Sequence, residues 1–503
     1  MRFSLCLIKI MYELKSVSPE SEGIPSRAIS RFIDKIKKYK MNIHSFAFLR
    51  RGFVAAEAYA KPFFDENFMH RMYSCSKSVV SLAVGKLVKE KRIRLTDKIC
   101  DYFPEYTDEY TDESIKNVTI EDMLEMSVPP LTDAYALRPD LPWAESFFKV
   151  KGVKPSGTIF DYNSSSTFIL GVLVEKLVGK TFIDYLRPEF DKIGVGENVY
   201  CVLSPDGHAW GGSGVVCTMR DFIKICLLVA ERGKHDGEIL LPEDYLARAT
   251  SKRVSNYTRN DYAPRKSEGY GYQFWITDKG YSAYGMGSQY AFFFPDKDLL
   301  FVCTGDTQVA ADDFCGEFLY EWVSDVYDEV TDKKLDEGDD YEILKRKTDE
   351  FSLPDFCGVK QTPFAKEING KKYILRANEM GIKWFRVWLN NDDGFFEYEN
   401  ARGVKRLNFG LCGYKQGKFP ETNFYSRRVG IPSGIEQDCI VAAEWTEEKK
   451  LLIRAYVIGS NFGNVFITLG FKGDEVGVAM NKKAEFFMDD YEGFAYGRLS
   501  AES

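Results

Sequence analysis

Between residues 45 and 59 the chain runs SFAFL, then Arg50-Arg51-Gly52, then FVAAEAY. Two apolar, β-prone runs around a glycine turn predict a hairpin. From 74 to 89 the period changes. Val79, Val80, Ala83, Leu87 and Val88 recur at helical spacing, so a helix is expected there. A second helix is expected over 164–178, closed by Gly179 as its cap. A third is expected over 221–230, with Asp221 as N-cap before Phe222, Ile223, Cys226 and Leu227. Residues 290–294 and 299–304 predict strands around a Pro295-Asp296-Lys297-Asp298 turn. A helix over 312–326 places Phe314, Phe318, Leu319 and Trp322 in register.

The order is strands, a long helical middle, strands and a closing helix. The terminal strands of this region are expected to share one antiparallel sheet, giving an α+β fold with three α/β/α layers and a helical subdomain. A charge-rich run over 336–347 and Ser352-Leu353-Pro354 mark a boundary. Beyond it lie short strands such as Lys383-Trp384-Phe385-Arg386-Val387-Trp388, Leu451-Leu452-Ile453-Arg454-Ala455-Tyr456-Val457 and Asn464-Val465-Phe466-Ile467-Thr468-Leu469. They predict a β-rich barrel or sandwich. The expected division is 1–16 as an N-terminal extension, 17–335 as the main domain, 336–354 as linker and 355–503 as a β-rich accessory domain. No internal repeat or low-complexity tract is visible.

Composition narrows the class. At 503 residues, 45% apolar and 15% aromatic, the chain can fill two or three cores. A net charge of −8 argues against a general nucleic-acid binder. No apolar run approaches the ~18 residues of a membrane span. Eleven cysteines are scattered singly from Cys6 to Cys439 without a CxxC pair, which favours reduced thiols and a cytoplasmic protein. The start, Met1-Arg2-Phe3-Ser4-Leu5-Cys6-Leu7-Ile8-Lys9, is too short in its apolar part for a signal peptide, and a frayed extension or a start at Met11 is expected instead.

The candidate chemistry begins at Ser74-Cys75-Ser76-Lys77. On a helix, Ser74 and Lys77 share one face at its first turn. A lysine there opposes the positive end of the macrodipole, so helix stability does not explain it. A serine hydroxyl beside a desolvated amine is one way to activate a nucleophile. An N-cap serine with a solvated lysine fits the same two residues, and Ser146-Phe147-Phe148-Lys149 repeats the spacing without a long apolar helix after it.

Further segments follow in order: Pro19-Glu20-Ser21-Glu22-Gly23-Ile24, Arg71-Met72-Tyr73-Ser74-Cys75-Ser76-Lys77-Ser78, Lys91-Arg92-Ile93-Arg94-Leu95-Thr96-Asp97, Tyr102-Phe103-Pro104-Glu105, Gly157-Thr158-Ile159-Phe160-Asp161-Tyr162, Gly211-Gly212-Ser213-Gly214-Val215 with Met219-Arg220-Asp221, Gly269-Tyr270-Gly271-Tyr272-Gln273-Phe274-Trp275, and Gly285-Met286-Gly287-Ser288-Gln289. With them, residues 17–330 resemble the serine β-lactamase / penicillin-binding-protein-like superfamily, in its class C-like esterase and 6-aminohexanoate-dimer hydrolase branch. The resemblance implies Ser74 as acylated nucleophile, Lys77 as proton acceptor and Tyr162 as second general base or acid. It implies an oxyanion hole from the backbone amides of Ser74 and Met286, and substrate contacts from Ser164, Trp210, Tyr284 and Gly285. No metal or cofactor is implied.

Two departures bear on the substrate. The family's Tyr-x-Asn reads Tyr162-Asn163-Ser164, while Tyr398-Glu399-Asn400 matches by chance in the β-rich region. The family's Lys-Thr-Gly or His-x-Gly falls on Ala283-Tyr284-Gly285, without a cation. A substrate carboxylate loses its usual partner, so small neutral esters or amides are favoured over β-lactams. The expectation is a serine hydrolase working through an acyl-enzyme. Alternatives are a non-catalytic binding or scaffolding protein, or an acyl transferase or D-amino-acid peptidase of the same fold. His44, His70, His208 and His235 show no metal-ligand spacing, and His208 is expected to be a loop histidine near the cleft. No GxSxG elbow is present, which disfavours a Ser-His-Asp hydrolase. Cys75 is expected to point away from Ser74.

Overall fold

The computed structural model describes residues 13–256, 267–308, 314–421, 436–459, 461–484 and 488–501. The first twelve positions of the expected N-terminal extension, and the start of the expected helix at Asp312 and Asp313, lie outside them. The described residues form two compact units, one of 13–307 with 314–353 and one of Gln308 with 354–501.

In the first unit, helix α1 (Ser26–Lys38) precedes the hairpin of β1 (Ile43–Arg50) and β2 (Phe53–Tyr59). The hairpin turns at Arg51 and Gly52, both with positive φ, as a two-residue turn between twisted strands requires. Next come α2 (Cys75–Lys89), α3 (Ser164–Val178), α4 (Phe182–Lys192) and α5 (Met219–Ala230). Five strands follow: β3 (Ser267–Tyr270), β4 (Trp275–Thr277), β5 (Gly280–Gly285), β6 (Gln289–Phe294) and β7 (Leu299–Gly305). Helices α6 (Phe314–Glu329) and α7 (Asp339–Asp349) close the unit.

The seven strands make one sheet in the order β2-β1-β7-β6-β5-β4-β3, with neighbours antiparallel. The first and last parts of the unit meet where Phe46 opposes Cys303 and Phe48 opposes Phe301. Every residue of β1 is buried, because both faces of the sheet are covered. On one face α1 lays Ile29, Phe32, Ile33 and Ile36 down, and the Phe32 ring meets Phe46, Phe48 and Phe301 edge-on at 5.2–5.3 Å. Helix α6 lies beside α1 through Lys35–Asp325 (2.6 Å) and the stacking of Tyr39 on Phe318. Helix α7, within the charge-rich run, buries Leu344 and ties Lys347 to Asp34.

On the other face α2 is buried on all sides from Cys75 to Leu87, not on one stripe. Its polar residues are absorbed by neighbours: the Val215 amide donates to Ser76 Oγ (2.9 Å), and Ser78 Oγ donates to Gln273 O (2.8 Å). Helix α3 has the expected bounds and the expected Gly179 cap, at φ +69°. Helix α5 corrects the expectation for Asp221. Thr218 is the N-cap and Asp221 stands three residues on, completing a capping box in which each side chain accepts from the other's backbone amide.

The second unit is a barrel. Its strands are β8 (Lys372–Leu375), β9 (Trp384–Leu389), β10 (Asp393–Asn400), β11 (Gly403–Leu411), β12 (Lys415–Lys418), β13 (Asp438–Glu447), β14 (Lys450–Ile458), β15 (Phe462–Lys472), β16 (Glu475–Ala484) and β17 (Gly493–Leu499). They pair as β11-β10-β9-β8-β17-β16-β15-β14-β13, and β11 then pairs with β13. Nine strands cannot close with antiparallel neighbours throughout. The closing pair is accordingly parallel, Gly410 with Ala442 and Leu411 with Ala443, and β12 covers the rest of that edge of β13. Inward positions such as Phe385, Phe396, Phe409, Val441, Ile453 and Ile467 fill the interior.

One buried polar pair underlies the site. Arg71 O can only accept, so His70 Nδ1 donates to it (3.0 Å), and His70 Nε2 then accepts from His44 Nδ1 (2.9 Å). Burial holds His44 well below its ordinary value and His70 down at about 3. In the unfolded chain both protonate near ~6.5. The unfolded state therefore binds more protons below that pH, and the contribution of this pair is complete above it and lost as pH falls. The unfolding free energy from urea titrations is expected to drop from pH 7 to pH 5 by up to ~1.4 kcal/mol per pH unit for each histidine, with a flatter profile in His44→Asn/His70→Asn. Parallel profiles for the two proteins would refute the assignment.

Candidate active site

Ser74 is the N-cap of α2, and its side chain makes no capping bond. It is instead joined to Lys77, whose Nζ lies 2.9 Å from Ser74 Oγ and donates to Gly212 O at 2.5 Å. The Lys77 side chain is 1% exposed. An amine this buried is stabilised in its neutral form unless its charge is compensated. Its Nζ also lies 4.8 Å from the centre of the Tyr162 ring. Ser74, Lys77 and Tyr162 thus come together from two separate segments.

Tyr162 stacks on Trp275 at 5.3 Å. Trp275 is in turn packed edge-on by Tyr270 and Phe160. Burial first, and Tyr162 second, push the Tyr270 hydroxyl well above its ordinary range. Gln273 fixes this wall, and sequence reasoning had given it no role. Its backbone is left-handed at φ +66°. Its Nε2 donates to Met123 O and Leu124 O, and its Oε1 accepts from Thr167 Oγ1 at 2.6 Å.

Asn163 is fully buried and structural. Its Oδ1 caps α3 at Ser166 N, and its Nδ2 donates to Thr132 O at 2.9 Å. It does not stand in for the absent asparagine. Ser164, next along, lies against Gly212: a Cβ on that glycine would come within 3.2 Å of the Ser164 Cβ. Gly211 is more tightly constrained, since a Cβ there would meet Val80 Cγ2 at 2.7 Å. The contact at 211 leaves no room for a side chain, and the one at 212 is tight, in the loop that carries the Lys77 acceptor.

The far wall is the end of β5. A Cβ on Gly285 would overlap the Met72 carbonyl oxygen and lie 3.2 Å from the Cys75 amide nitrogen. The strand end therefore sits flush against the turn before α2. The turn after it is fixed by buried Gln289, whose Nε2 donates to Met286 O (2.7 Å) and Gly305 O (3.0 Å). Among the described residues, the backbone amides of Ser74 and Met286 have no protein acceptor.

One expected substrate contact is not at this group. Tyr284 alternates to the opposite face of the sheet from Gly285, where its ring stacks on Tyr290 at 4.5 Å. Trp210 is 7% exposed and is packed between Trp143 and Arg71. The repeat at Ser146 is also structural: Ser146 is buried and donates to Trp143 O, while Lys149 pairs with Asp108. Cys75 points away from Ser74, as expected, and donates to Gln289 O. His208 pairs with Glu175 at 2.6 Å, and that hydrogen bond raises its pKa. Tyr398 of the chance motif is bonded to Tyr491 inside the barrel.

The family model described as Beta-lactamase matches residues 31–319, more than half of the chain. The chain belongs to the Beta-lactamase family. Its Beta-lactamase match includes Ser74, Lys77, Tyr162, Gly212 and Gly285. The chain is similar to the 6-aminohexanoate-dimer hydrolase of Paenarthrobacter ureafaciens, 23% identical over 209 residues, or 38% of this chain and 53% of that protein. It thus spans about half the length of that curated relative. Among solved structures it is similar to a putative 6-aminohexanoate-dimer hydrolase from Bacillus anthracis (17% identity, TM-score 0.49, 63% of this chain and 87% of that one). It is also similar to an octameric penicillin-binding protein homologue from Pyrococcus abyssi (14% identity, TM-score 0.44, 94% and 99%). Among the described residues, no helix is long and apolar enough to cross a membrane.

The fit at Gly285 is directly testable. Gly285→Ala is expected to cost ~1–3 kcal/mol through overpacking and to displace the turn that carries Ser74. Wild-type thermal stability in that variant would show that the strand end has room to spare.

Proposed function

We propose that the protein is a serine hydrolase that cleaves small esters or amides through an acyl-enzyme on Ser74. The observation that carries this reading is the buried Lys77 amine at 2.9 Å from Ser74 Oγ, with a second bond to Gly212 O. A neutral amine has two N–H bonds and one lone pair. With one N–H given to Gly212 O, the lone pair can face the Ser74 hydroxyl.

In the first step Ser74 Oγ bonds to the substrate carbonyl carbon as its proton passes to Lys77 Nζ. Negative charge gathers on the carbonyl oxygen, where the amides of Ser74 and Met286 would donate. The C–O or C–N bond to the leaving group then breaks. The leaving group takes the proton from Lys77, directly or through the Tyr162 hydroxyl. Water repeats the sequence on the acyl-enzyme and releases the acid, restoring the Ser74 hydroxyl. The Tyr162 phenol, close to the amine and backed by Trp275, suits the relay.

Esters and uncharged amides are favoured because Ala283 and Gly285, which share the β5 face toward Ser74, supply no cation for a substrate carboxylate. The similarity to a protein named 6-aminohexanoate-dimer hydrolase makes a linear amide a substrate to test beside esters.

A fluorophosphonate probe is expected to label Ser74, with p-nitrophenyl ester turnover falling at least ~10³-fold in Ser74→Ala. Lys77→Met should lose activity comparably, because residues of one proton-transfer unit are not additive. Equal turnover by wild type and Ser74→Ala would sink the reading. So would the absence of any mass shift on the Ser74 peptide.

A further inference from the structure

We propose that Arg71 is the positioning residue of this site: it fixes the loop that holds the Lys77 amine, and its buried charge keeps that amine deprotonated. The inference rests on reading Ser74 and Lys77 as nucleophile and base.

Arg71 is 3% exposed and stands three residues before Ser74. Its guanidinium is sandwiched between two rings, 4.8 Å from the centre of Tyr73 and 4.7 Å from that of Trp210. Its Nε donates to Ser213 O (2.9 Å) and its Nη2 to Ser213 Oγ (3.2 Å). Ser213 follows Gly212, whose carbonyl accepts from Lys77 Nζ. The same guanidinium thus grips both sides of the arrangement. Through Tyr73 it packs on the residue before the nucleophile, and through Trp210 and Ser213 it brackets the base's acceptor.

Tyr73 is left-handed at φ +45°, a conformation that disfavours a bulky side chain and persists only when its surroundings enforce it. The Arg71 stack is part of that enforcement. The backbone of Arg71 is anchored as well, since its carbonyl accepts from the buried His70 ring.

The charge matters separately from the grip. Among the described residues, the titratable groups facing the Lys77 amine are Tyr162 and, across Ser213, Arg71, with Cys75 turned to the other side of α2. Arg71 itself also faces Tyr200 and Cys201, both pushed up by burial and so neutral near pH 7. Tyr270 lies behind Tyr162, and Tyr73 lies under the guanidinium. Burial pushes the thiol of Cys75 and the phenol of Tyr270 up, so both are neutral near pH 7. Arg71 remains charged at any ordinary pH. A fixed cation in a low-dielectric surrounding disfavours a second cation nearby, which is one recognised way to make a lysine basic at neutral pH.

Two roles call for two substitutions. The pH dependence of Ser74 labelling by a fluorophosphonate is measured in wild type, Arg71→Met and Arg71→Lys, with folding checked by circular dichroism. Arg71→Met removes the charge. The midpoint of its acid limb is expected to move up by about one pH unit, with slower labelling at pH 7. Arg71→Lys keeps the charge but loses the fork and the planar stack. It is expected to keep the wild-type midpoint while labelling ~10-fold or more slowly at every pH. An unchanged midpoint in folded Arg71→Met would overturn the electrostatic role, and a wild-type rate in Arg71→Lys the positioning role. If Arg71→Met does not fold, Arg71→Gln takes its place with the same two outcomes. Wild type that is unlabelled at any pH overturns the hydrolase reading itself, and this inference with it.

Discussion

Placing a lysine amine inside a protein, next to a serine hydroxyl, is the constraint around which this site is built. An isolated buried ammonium would cost several kcal/mol, so the amine needs either neutrality or acceptors. It has Ser74 Oγ and Gly212 O, and it sits on a helix enclosed on every side. Much of the nearby sequence follows from those two bonds. Gly212, which brings its carbonyl to Lys77, lies against Ser164, and Gly211 beside it lies against Val80. Gly285 has no side chain because the turn before α2 occupies the space.

The parts of the site come from widely separated stretches of chain, so the fold must supply their register. The sheet does this at one end: β1 pairs with β7, and the strand order between β7 and β5 then sets Gly285 against Met72 and Cys75. Buried amide side chains do it elsewhere. Gln273 ties the chain before Trp275 to α3 and to residues 123–124, while Gln289 ties the turn after β5 to β7. Both have every polar atom engaged, which suits rigid parts better than mobile ones. The aromatic wall of Trp275, Tyr270 and Phe160 fills the space between them and sets the angle of Tyr162.

These relationships explain which features the sequence displayed. The hairpin, α2, α3 and the barrel strands carry their own periodicity, and Gly179 its own cap, so they were legible without tertiary information. The boundary of α5 was misplaced because Thr218 and Asp221 both suit an N-cap, and only the pair together forms the capping box. The proximity of Ser74, Lys77 and Tyr162 was reachable through ordered motifs. The Gly212 carbonyl was not, since a backbone acceptor leaves no residue type to recognise. Gln273, in the turn before β4, and Gln289, at the start of β6, look like ordinary polar residues until their partners are known. Tyr284 is different. Strand alternation alone puts it on the face opposite Gly285, so its assignment to substrate contact neglected a rule the sequence already contained.

Arg71 bears on the question of substrate charge. A cation within a few residues of the nucleophile looks at first like a handle for an anionic substrate. Its surroundings argue otherwise. The guanidinium is covered by Tyr73 on one side and Trp210 on the other, its edge is turned to Ser213, and 3% exposure leaves a substrate carboxylate no approach. A positive charge in that position acts on its neighbours: Tyr73, Tyr200, Cys201 and, across Ser213, the Lys77 amine. On the strand that faces Ser74, the residues directed toward it are alanine and glycine. Under the proposed reading, the guanidinium therefore bears on the protonation of the amine rather than on the substrate. That effect does not depend on the identity of the substrate.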